Sequence, residues 1–343
     1  MYEPNIIIKD LRVLTDHFIP RRIIHRDGQM QAIRDNLNPL INNEMPRGSF
    51  VYGPPGTGKT CISQFVVDEL KAYAPVSSVY INCWLYPSRF KILYNIIQTL
   101  GSLFVHRKGV PTDELIDTLK TKLKNRQCVI ILDEADQLED DKILYDLLEI
   151  EGVCLLLISN TETIFFDSDP RIRSRLQSLD RIEFRAYSHP EIIDILKDRA
   201  DFGLVPEVIN NLQISRIAEI AGGDARKAIS ILRLAAEYAE NKGLQKIQDD
   251  HIEKSAPKIK TLEIDKTVES LNIHQKILYG IIKSSKEISA PNLYEKFKKT
   301  SEEKGCGQIV DRTVRNYLEK LEGLNLISSS GEGRWTKYKV VNF

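Results

Sequence analysis

The sequence predicts an α/β protein: a parallel sheet flanked by helices, then a helical segment, then a small domain of helices and a hairpin. Three observations predict it. Apolar runs at residues 50–52, 78–83, 128–132 and 153–159 alternate with stretches of helical periodicity, the pattern of strands buried on both faces. From Tyr187 to Ser255 the chain reads as helix, punctuated by Pro190, Gly203, Pro206 and Gly222-Gly223. From residue 267 onward, three helical stretches precede a Gly-punctuated hairpin pattern.

The first strand opens the motif that organises the rest. Phe50-Val51-Tyr52 runs into Gly53-Pro54-Pro55-Gly56-Thr57-Gly58-Lys59-Thr60, and a helical run follows from Ile62 to Tyr73. The spacing G-x-x-x-x-G-K-T between a strand and a helix is that of a phosphate-binding loop. Gly53, Gly56 and Gly58 let the backbone turn its N–H groups inward, and the helix points its positive end the same way. Lys59 reaches the β- and γ-phosphates, and the Thr60 hydroxyl holds Mg²⁺.

A metal needs a carboxylate beside that loop. The run Cys128-Val129-Ile130-Ile131-Leu132 ends in Asp133-Glu134, where parallel sheets bind ligands. Asp133 is read as the Mg²⁺ carboxylate and Glu134 as the group that orients or deprotonates the attacking water. The strand at 153–159 ends in Asn160, level with Glu134 and able to position the water or the γ-phosphate. Arg171, Arg173 and Arg175 follow Pro170 on a helix, either as a solvated basic face or as arginines that stabilise phosphoryl transfer across a subunit boundary. Arg181 to Phe184 is an edge strand.

Upstream, Phe18 to Gln29 is an extended segment, either a wall for the nucleotide base or a surface arm, and a helix follows over 28–41. Pro87 to Phe104 reads as an extra helix between the second strand and the carboxylate strand. Its basic residues, including Arg89, Lys91, His106, Arg107 and Lys108, form a solvated face or contact nucleic acid. Helices are expected over 112–125 and 140–149. In the helical segment, Asp224 caps a helix and Arg226 falls in its first turn, where an arginine opposes the helix dipole. That mismatch assigns Arg226 to something else, a γ-phosphate under a hinged lid.

The domains expected are a nucleotide-binding base over 1–186, a helical lid over 187–258, a Lys-rich linker over 259–266 and a winged helix over 267–343. Helices at 267–284, 290–304 and 308–323 precede the hairpin. The third carries Arg312, Thr313, Arg315 and Lys320 for a major groove, and Gly331-Glu332-Gly333-Arg334 forms a tip suited to a minor groove or to phosphates.

At 343 residues the chain holds two or three domains, and 28% charged with 42% hydrophobic residues is ordinary for a globular protein. Net charge is +0, but residues 266–343 carry 14 Lys+Arg against 9 Asp+Glu and the remainder 34 against 39. A basic tail on an acidic body points to a polyanionic partner. The five cysteines show no C-x-x-C spacing and predict reduced thiols without zinc. No apolar run predicts a membrane span, and the first residues do not read as a signal peptide, so a cytoplasmic protein is expected.

With these pieces placed, the chain resembles the archaeal origin-recognition and cell-division-control replication initiators, AAA+ ATPases with a C-terminal winged helix. Glycine loop, carboxylate strand, polar strand end, arginine helix, lid arginine and winged helix occur in that family's order. The insertion at 87–104, the junction Phe184-Arg185-Ala186-Tyr187-Ser188 and the wing Gly333-Arg334-Trp335-Thr336-Lys337-Tyr338 carry the more specific likeness. The resemblance implies that Gly56, Thr57, Gly58, Lys59, Thr60 and Cys61 bind phosphates and that Tyr187 and Arg199 touch the nucleotide from the lid. It makes Asn160 and Arg226 the two sensors, and adds Gly333 and Lys337 to the DNA contacts. It implies ATP, ADP and Mg²⁺ as ligands, with ATP as a slow switch. The implied partners are double-stranded origin DNA, the replicative helicase and paralogous initiators, at the nucleoid and with no membrane. Two other readings join the same parts: a branch-migration motor for Holliday junctions, and a nucleotide-gated protein-interaction module. The insertion argues against the first and the charge asymmetry against the second.

Overall fold

The computed structural model describes residues 7–15, 18–20, 22–42, 44–101, 111–165, 168–307, 309–324, 326–331 and 333–341. It divides into two units, Met1–Ala256 and Pro257–Phe343.

The first unit is built on α1 (Asp27–Leu37), β1 (Ser49–Tyr52), α2 (Lys59–Leu70), β2 (Ser77–Asn82), α3 (Arg89–Thr99), α4 (Thr112–Leu123), β3 (Cys128–Asp133), α5 (Lys142–Leu148), β4 (Val153–Ser159), α6 (Pro170–Leu176) and β5 (Asp180–Glu183). The strands form one parallel sheet in the order β2-β3-β4-β1-β5. Every residue of β3 is buried, because helices cover both faces of the sheet. Cys128, Ile130 and Leu132 pack with Ile92, Leu115 and Leu144 on one face. Val129 and Ile131 pack with Ile33, Ile62 and Val66 on the other. Because β3 and β1 flank β4, the carboxylates after β3 and the loop after β1 open at the same edge.

The lid follows as α7 (His189–Gly203), α8 (Asn211–Ala221) and α9 (Ala225–Asn241), with α10 (Asp249–Ser270) contributing residues to both units. Capping boxes start α7 at Ser188 with Glu191 and α8 at Asn210 with Gln213. Asp224 caps α9 through Lys227 N–H, and Gly222 ends α8 at φ 61°.

The second unit holds α11 (Ile273–Ser285), β6 (Glu287–Ser289), α12 (Ala290–Glu303), α13 (Asp311–Gly323), β7 (Ile327–Ser330) and β8 (Lys337–Val340). Its antiparallel sheet has the order β6-β8-β7. Helix, strand, two helices and two strands in succession fit the winged helix expected there. Leu278, Ile282, Leu293, Phe297, Leu318 and Leu321 form its core.

Several expectations change. The stretch 259–266, expected as a linker, is helical within α10, which continues through Pro257. The helix expected over 267–284 is two: Asn272 accepts Gln275 N–H and starts α11 afresh. The strand β6 was not expected, being three residues whose pairing with β8 no periodicity reveals. Within the extra helix, α3 ends at Thr99, while Phe104, His106, Arg107 and Lys108 lie outside the described residues. Among the described residues no helix is long and apolar enough to cross a membrane.

Leu156 lies fully buried in β4, between Ser49 of β1 and Ile131 of β3. Leu156→Ala is expected to cost about 2–5 kcal/mol and to lower the first unit's calorimetric transition by at least about 5 °C. A transition within about 2 °C of wild type would mean that the sheet core lies elsewhere.

Candidate nucleotide site

The phosphate loop is shaped by contacts that leave no space for side chains. Gly53 sits at φ 144°, and a Cβ there would lie 2.0 Å from Phe184 O. Gly56, at φ 71°, is left-handed, and its Cβ would fall 1.8 Å from an Asp224 carboxylate oxygen. Ala225 N–H donates to Gly56 O at 3.0 Å, so the first turn of α9 rests on the loop.

Lys59 begins α2 and is buried. Its ammonium donates to Gly53 O at 2.6 Å, Pro54 O at 2.8 Å and Asn160 Oδ1 at 3.2 Å. Three acceptors match its three protons. Burial lowers its pKa to about 8, with nearby Asp133 opposing that shift. The loop, Lys59 and Asn160 thus converge as the sequence predicts. Asn160 is fixed from behind, its N–H donating to Asp136 Oδ1 at 3.2 Å.

The Thr60 hydroxyl donates to Asp133 Oδ2 at 2.8 Å, which leaves its own lone pairs for a cation. Glu134 adopts a left-handed φ of 54°, with its N–H held by Asp133 Oδ1 at 2.9 Å. Burial raises the Glu134 carboxyl to about 7, reinforced by Asp133 and Asp136 and opposed by Arg226 and Lys59. A carboxylate tuned near neutrality suits a general base. Arg226 itself is exposed on the first turn of α9, close enough to lower Glu134 and Lys59 electrostatically.

Left-handed glycines, a buried ammonium and a hydroxyl–carboxylate pair fit a nucleotide with Mg²⁺. Gly53, Gly56, Thr57, Gly58, Lys59 and Thr60 would hold its phosphates, and Thr60 with Asp133 the cation. Bound there, ATP supplies the phosphoanhydride and Mg²⁺ the charge that neutralises its oxygens. Glu134 would take the proton of the attacking water, Asn160 would orient that water, and Lys59 and Arg226 would face the developing negative charge. Cys61 is half-buried at the second residue after Lys59, and burial raises its thiol, so it acts there as a neutral packing group.

The lid residues Tyr187 and Arg199 take different places. Tyr187 is buried, with its hydroxyl 3.1 Å from the Cβ position of Gly58. Arg199 is buried too, but donates to Val13 O at 3.2 Å and Phe18 O at 3.4 Å, with Phe18 beneath its guanidinium. It therefore ties the N-terminal segment to the lid.

Two residues went unmarked in the sequence. Arg26, 5% exposed, donates to Thr57 O at 3.3 Å and Arg185 O at 2.6 Å. Its guanidinium lies 3.8 Å from the Tyr187 ring centroid, joining loop, strand-to-lid junction and lid. Its position in the extended segment beside the loop was the available signal. Tyr80 donates to Asp133 Oδ2 at 2.8 Å, and nothing in its strand pattern marked it.

Of the arginines on α6, Arg171 pairs with Asp169, and Arg175 pairs with Glu149 near the Tyr145 ring. Arg173 is exposed. Arg89 is engaged by Asp146 at 2.5 Å and Asp113 at 3.6 Å, with its side chain 24% exposed. Its guanidinium braces α3 against neighbouring helices. Lys91 is exposed. In the second unit, Arg312 and Arg315 lie on the exposed face of α13 opposite buried Val314, Leu318 and Leu321, with Thr313 half-buried. Gly333 is exposed, and Lys337 pairs with Glu287 at 3.1 Å across an exposed edge. The Arg334 side chain lies outside the described residues.

A phosphate loop and carboxylate strand beneath an arginine-bearing helical lid define an AAA+ ATPase. Residues 45–163 match the AAA domain, and residues 193–257 match the Cdc6 AAA+ ATPase-type lid domain. ATP and ADP are its nucleotides and Mg²⁺ their usual companion. Similarity along the whole chain then gives the family. The chain is 37% identical to ORC1-type DNA replication protein 9 of Halobacterium salinarum, over 99% of this chain and 96% of the relative. It is 41% identical to ORC1-type DNA replication protein 1 of the same organism, over 85% and 95%. The fold is similar to that of Aeropyrum pernix ORC1, solved in complex with DNA, with TM-score 0.83 and 25% identity over 98% of this chain and 94% of the other. The chain belongs to the ORC1-type family of DNA replication proteins.

Glu134→Gln is expected to retain ATP binding and to lower steady-state hydrolysis by about 10²-fold or more. Retained turnover would remove Glu134 from the chemistry. Because the base must be ionised, kcat/KM in the wild type should fall as pH drops below about 7. An unchanged profile down to pH near 5 would show that the base titrates as an ordinary Glu, at about 4.3, and is not raised by its surroundings.

Proposed function

We propose that this chain is an ATP-dependent replication initiator that recognises origin duplex DNA and helps to load the replicative helicase, with paralogous initiators as further partners. The observation that carries the reading is one chain joining the ATP site described above to an arginine-bearing winged helix, in a family whose A. pernix member was solved with DNA. The working division is a base over 1–186, a lid over 187–258, a connection over 259–266 and a DNA-binding domain over 267–343.

In this reading Arg312, Thr313 and Arg315 enter the major groove from α13, while Gly333, Arg334 and Lys337 meet phosphates or the minor groove at the wing. The pairing of Lys337 with Glu287 does not disqualify it, because an exposed ion pair holds its members weakly. Lys91 on α3 adds a backbone contact. Arg171, Arg173 and Arg175 are candidates for the arginine that reaches a neighbouring subunit's nucleotide. Arg171 and Arg175 would exchange their present partners for phosphate. Tyr187 and Arg199 act from the lid, and Arg226 reads the γ-phosphate. Hydrolysis is slow and changes lid placement once per event. The chain works in the cytoplasm, at the nucleoid.

Crosslinking and sequencing of the tagged protein in its own cells tests the role. Sharp occupancy where replication starts supports it; enrichment only at recombining junctions would move the assignment to a branch-migration motor. The contacts are tested separately: Arg315→Ala with Arg334→Ala should weaken duplex binding by more than about tenfold at moderate salt and flatten its salt dependence. Unchanged binding would place the DNA surface off the winged helix.

A further inference from the structure

The Asp133 carboxylate is held by more than its own motif. Oδ1 accepts Glu134 N–H at 2.9 Å and Oδ2 accepts the Thr60 hydroxyl at 2.8 Å, both from residues of the nucleotide motifs. A third bond comes from a different strand: Tyr80 OH donates to Oδ2, also at 2.8 Å. Asp133 is 4% exposed, so each of these bonds satisfies a buried acceptor.

The placement of Tyr80 is specific. It lies in β2, at the edge of the sheet, with Val79 and Ile81 on either side pointing into the core. Tyr80 therefore stands on the opposite face, and it is 40% exposed. In register it pairs with Ile131, two residues short of Asp133. Two residues of strand rise by about 6.6 Å, a gap that a Ser or Thr hydroxyl does not span and a phenol leaning along the strand does. The Tyr80 hydroxyl braces Oδ2 of the carboxylate from the neighbouring strand.

We propose that Tyr80 is a positioning residue for the divalent cation: its hydroxyl holds Asp133 in the orientation that receives Mg²⁺ and so sets how tightly the cation is bound. The proposal rests on the reading of Asp133 as the cation's carboxylate. Groups that orient a metal's carboxylate from outside the ligand set influence affinity because an unrestrained carboxylate must be ordered when the metal arrives. Asp133 without the Tyr80 hydroxyl would keep the Thr60 and Glu134 bonds but lose the side-chain hydrogen bond that reaches its carboxylate from β2.

The test is binding of a fluorescent ADP analogue to the full chain, titrated with Mg²⁺ and compared with binding in EDTA. Wild type, Tyr80→Phe and Asp133→Asn are measured side by side. Tyr80→Phe removes one oxygen and keeps the ring. The half-saturating Mg²⁺ concentration should rise about tenfold in Tyr80→Phe, while its affinity in EDTA stays at the wild-type value. A merely structural defect would weaken binding in EDTA as well, and that result would overturn the proposal. So would a Tyr80→Phe titration that overlays wild type while Asp133→Asn has lost its Mg²⁺ response. A shift to lower Mg²⁺ would also overturn it, by showing that the hydroxyl competes with the cation. If Asp133→Asn keeps the full Mg²⁺ response, the underlying assignment of Asp133 fails instead.

Discussion

The site depends on the close contact between the phosphate loop and the lid. Ala225 N–H bonds to Gly56 O, and the Asp224 carboxylate occupies the space a Gly56 side chain would need. The same carboxylate caps α9, so one group both starts the helix and seats it on the loop. Arg226 lies two residues further on, so the fit of Asp224 against glycine sets where the first turn of α9 places it relative to the loop. Arg26 reinforces the joint from the other side, bonding to the loop and the strand-to-lid junction while stacking on Tyr187.

Charge is arranged around that joint so that both Lys59 and Asp133 are hydrogen-bonded where they are buried. Lys59 bonds to two loop carbonyls and to Asn160, since an unpaired buried ammonium would be costly. Asp133 accepts three hydrogen bonds. Glu134, partly buried among carboxylates with only its backbone N–H held by Asp133, is the group whose affinity for protons rises. The two neighbouring carboxylates thus sit in different environments: one accepts three hydrogen bonds and keeps acceptor capacity for a cation, the other is left basic near neutrality.

The second unit uses a simpler economy. Val314, Leu318 and Leu321 bury one stripe of α13, which leaves Arg312 and Arg315 on the exposed stripe. The same periodicity that makes the helix fold leaves Arg312 and Arg315 on its exposed side, alongside Asp311 and Glu319. In the base, by contrast, a basic residue on a similar helix is absorbed: Arg89 lies within reach of Asp146 and Asp113 and is held there.

The contrast between Arg315 and Arg89 marks how far sequence reasoning reaches. Both are arginines on amphipathic helices, and only the neighbours brought by folding distinguish them. Local patterns were legible: the glycine loop, the apolar strand ending in Asp133-Glu134, Asn160, and the Asp224 cap with Arg226 after it all depend on residues adjacent in the chain. The break at Asn272 and the strand β6 were missed because a cap inside a helical pattern and a three-residue pairing carry little periodic signal. The sequence by itself determined the fold class and the phosphate chemistry, because glycine spacing, strand apolarity and caps act over a few residues. Only the tertiary structure decided that Tyr80 reaches Asp133, that Arg26 joins loop to lid, and that Arg199 serves the N-terminal segment. Each of those contacts lies between residues far apart in the chain, whose meeting depends on sheet order and helix packing.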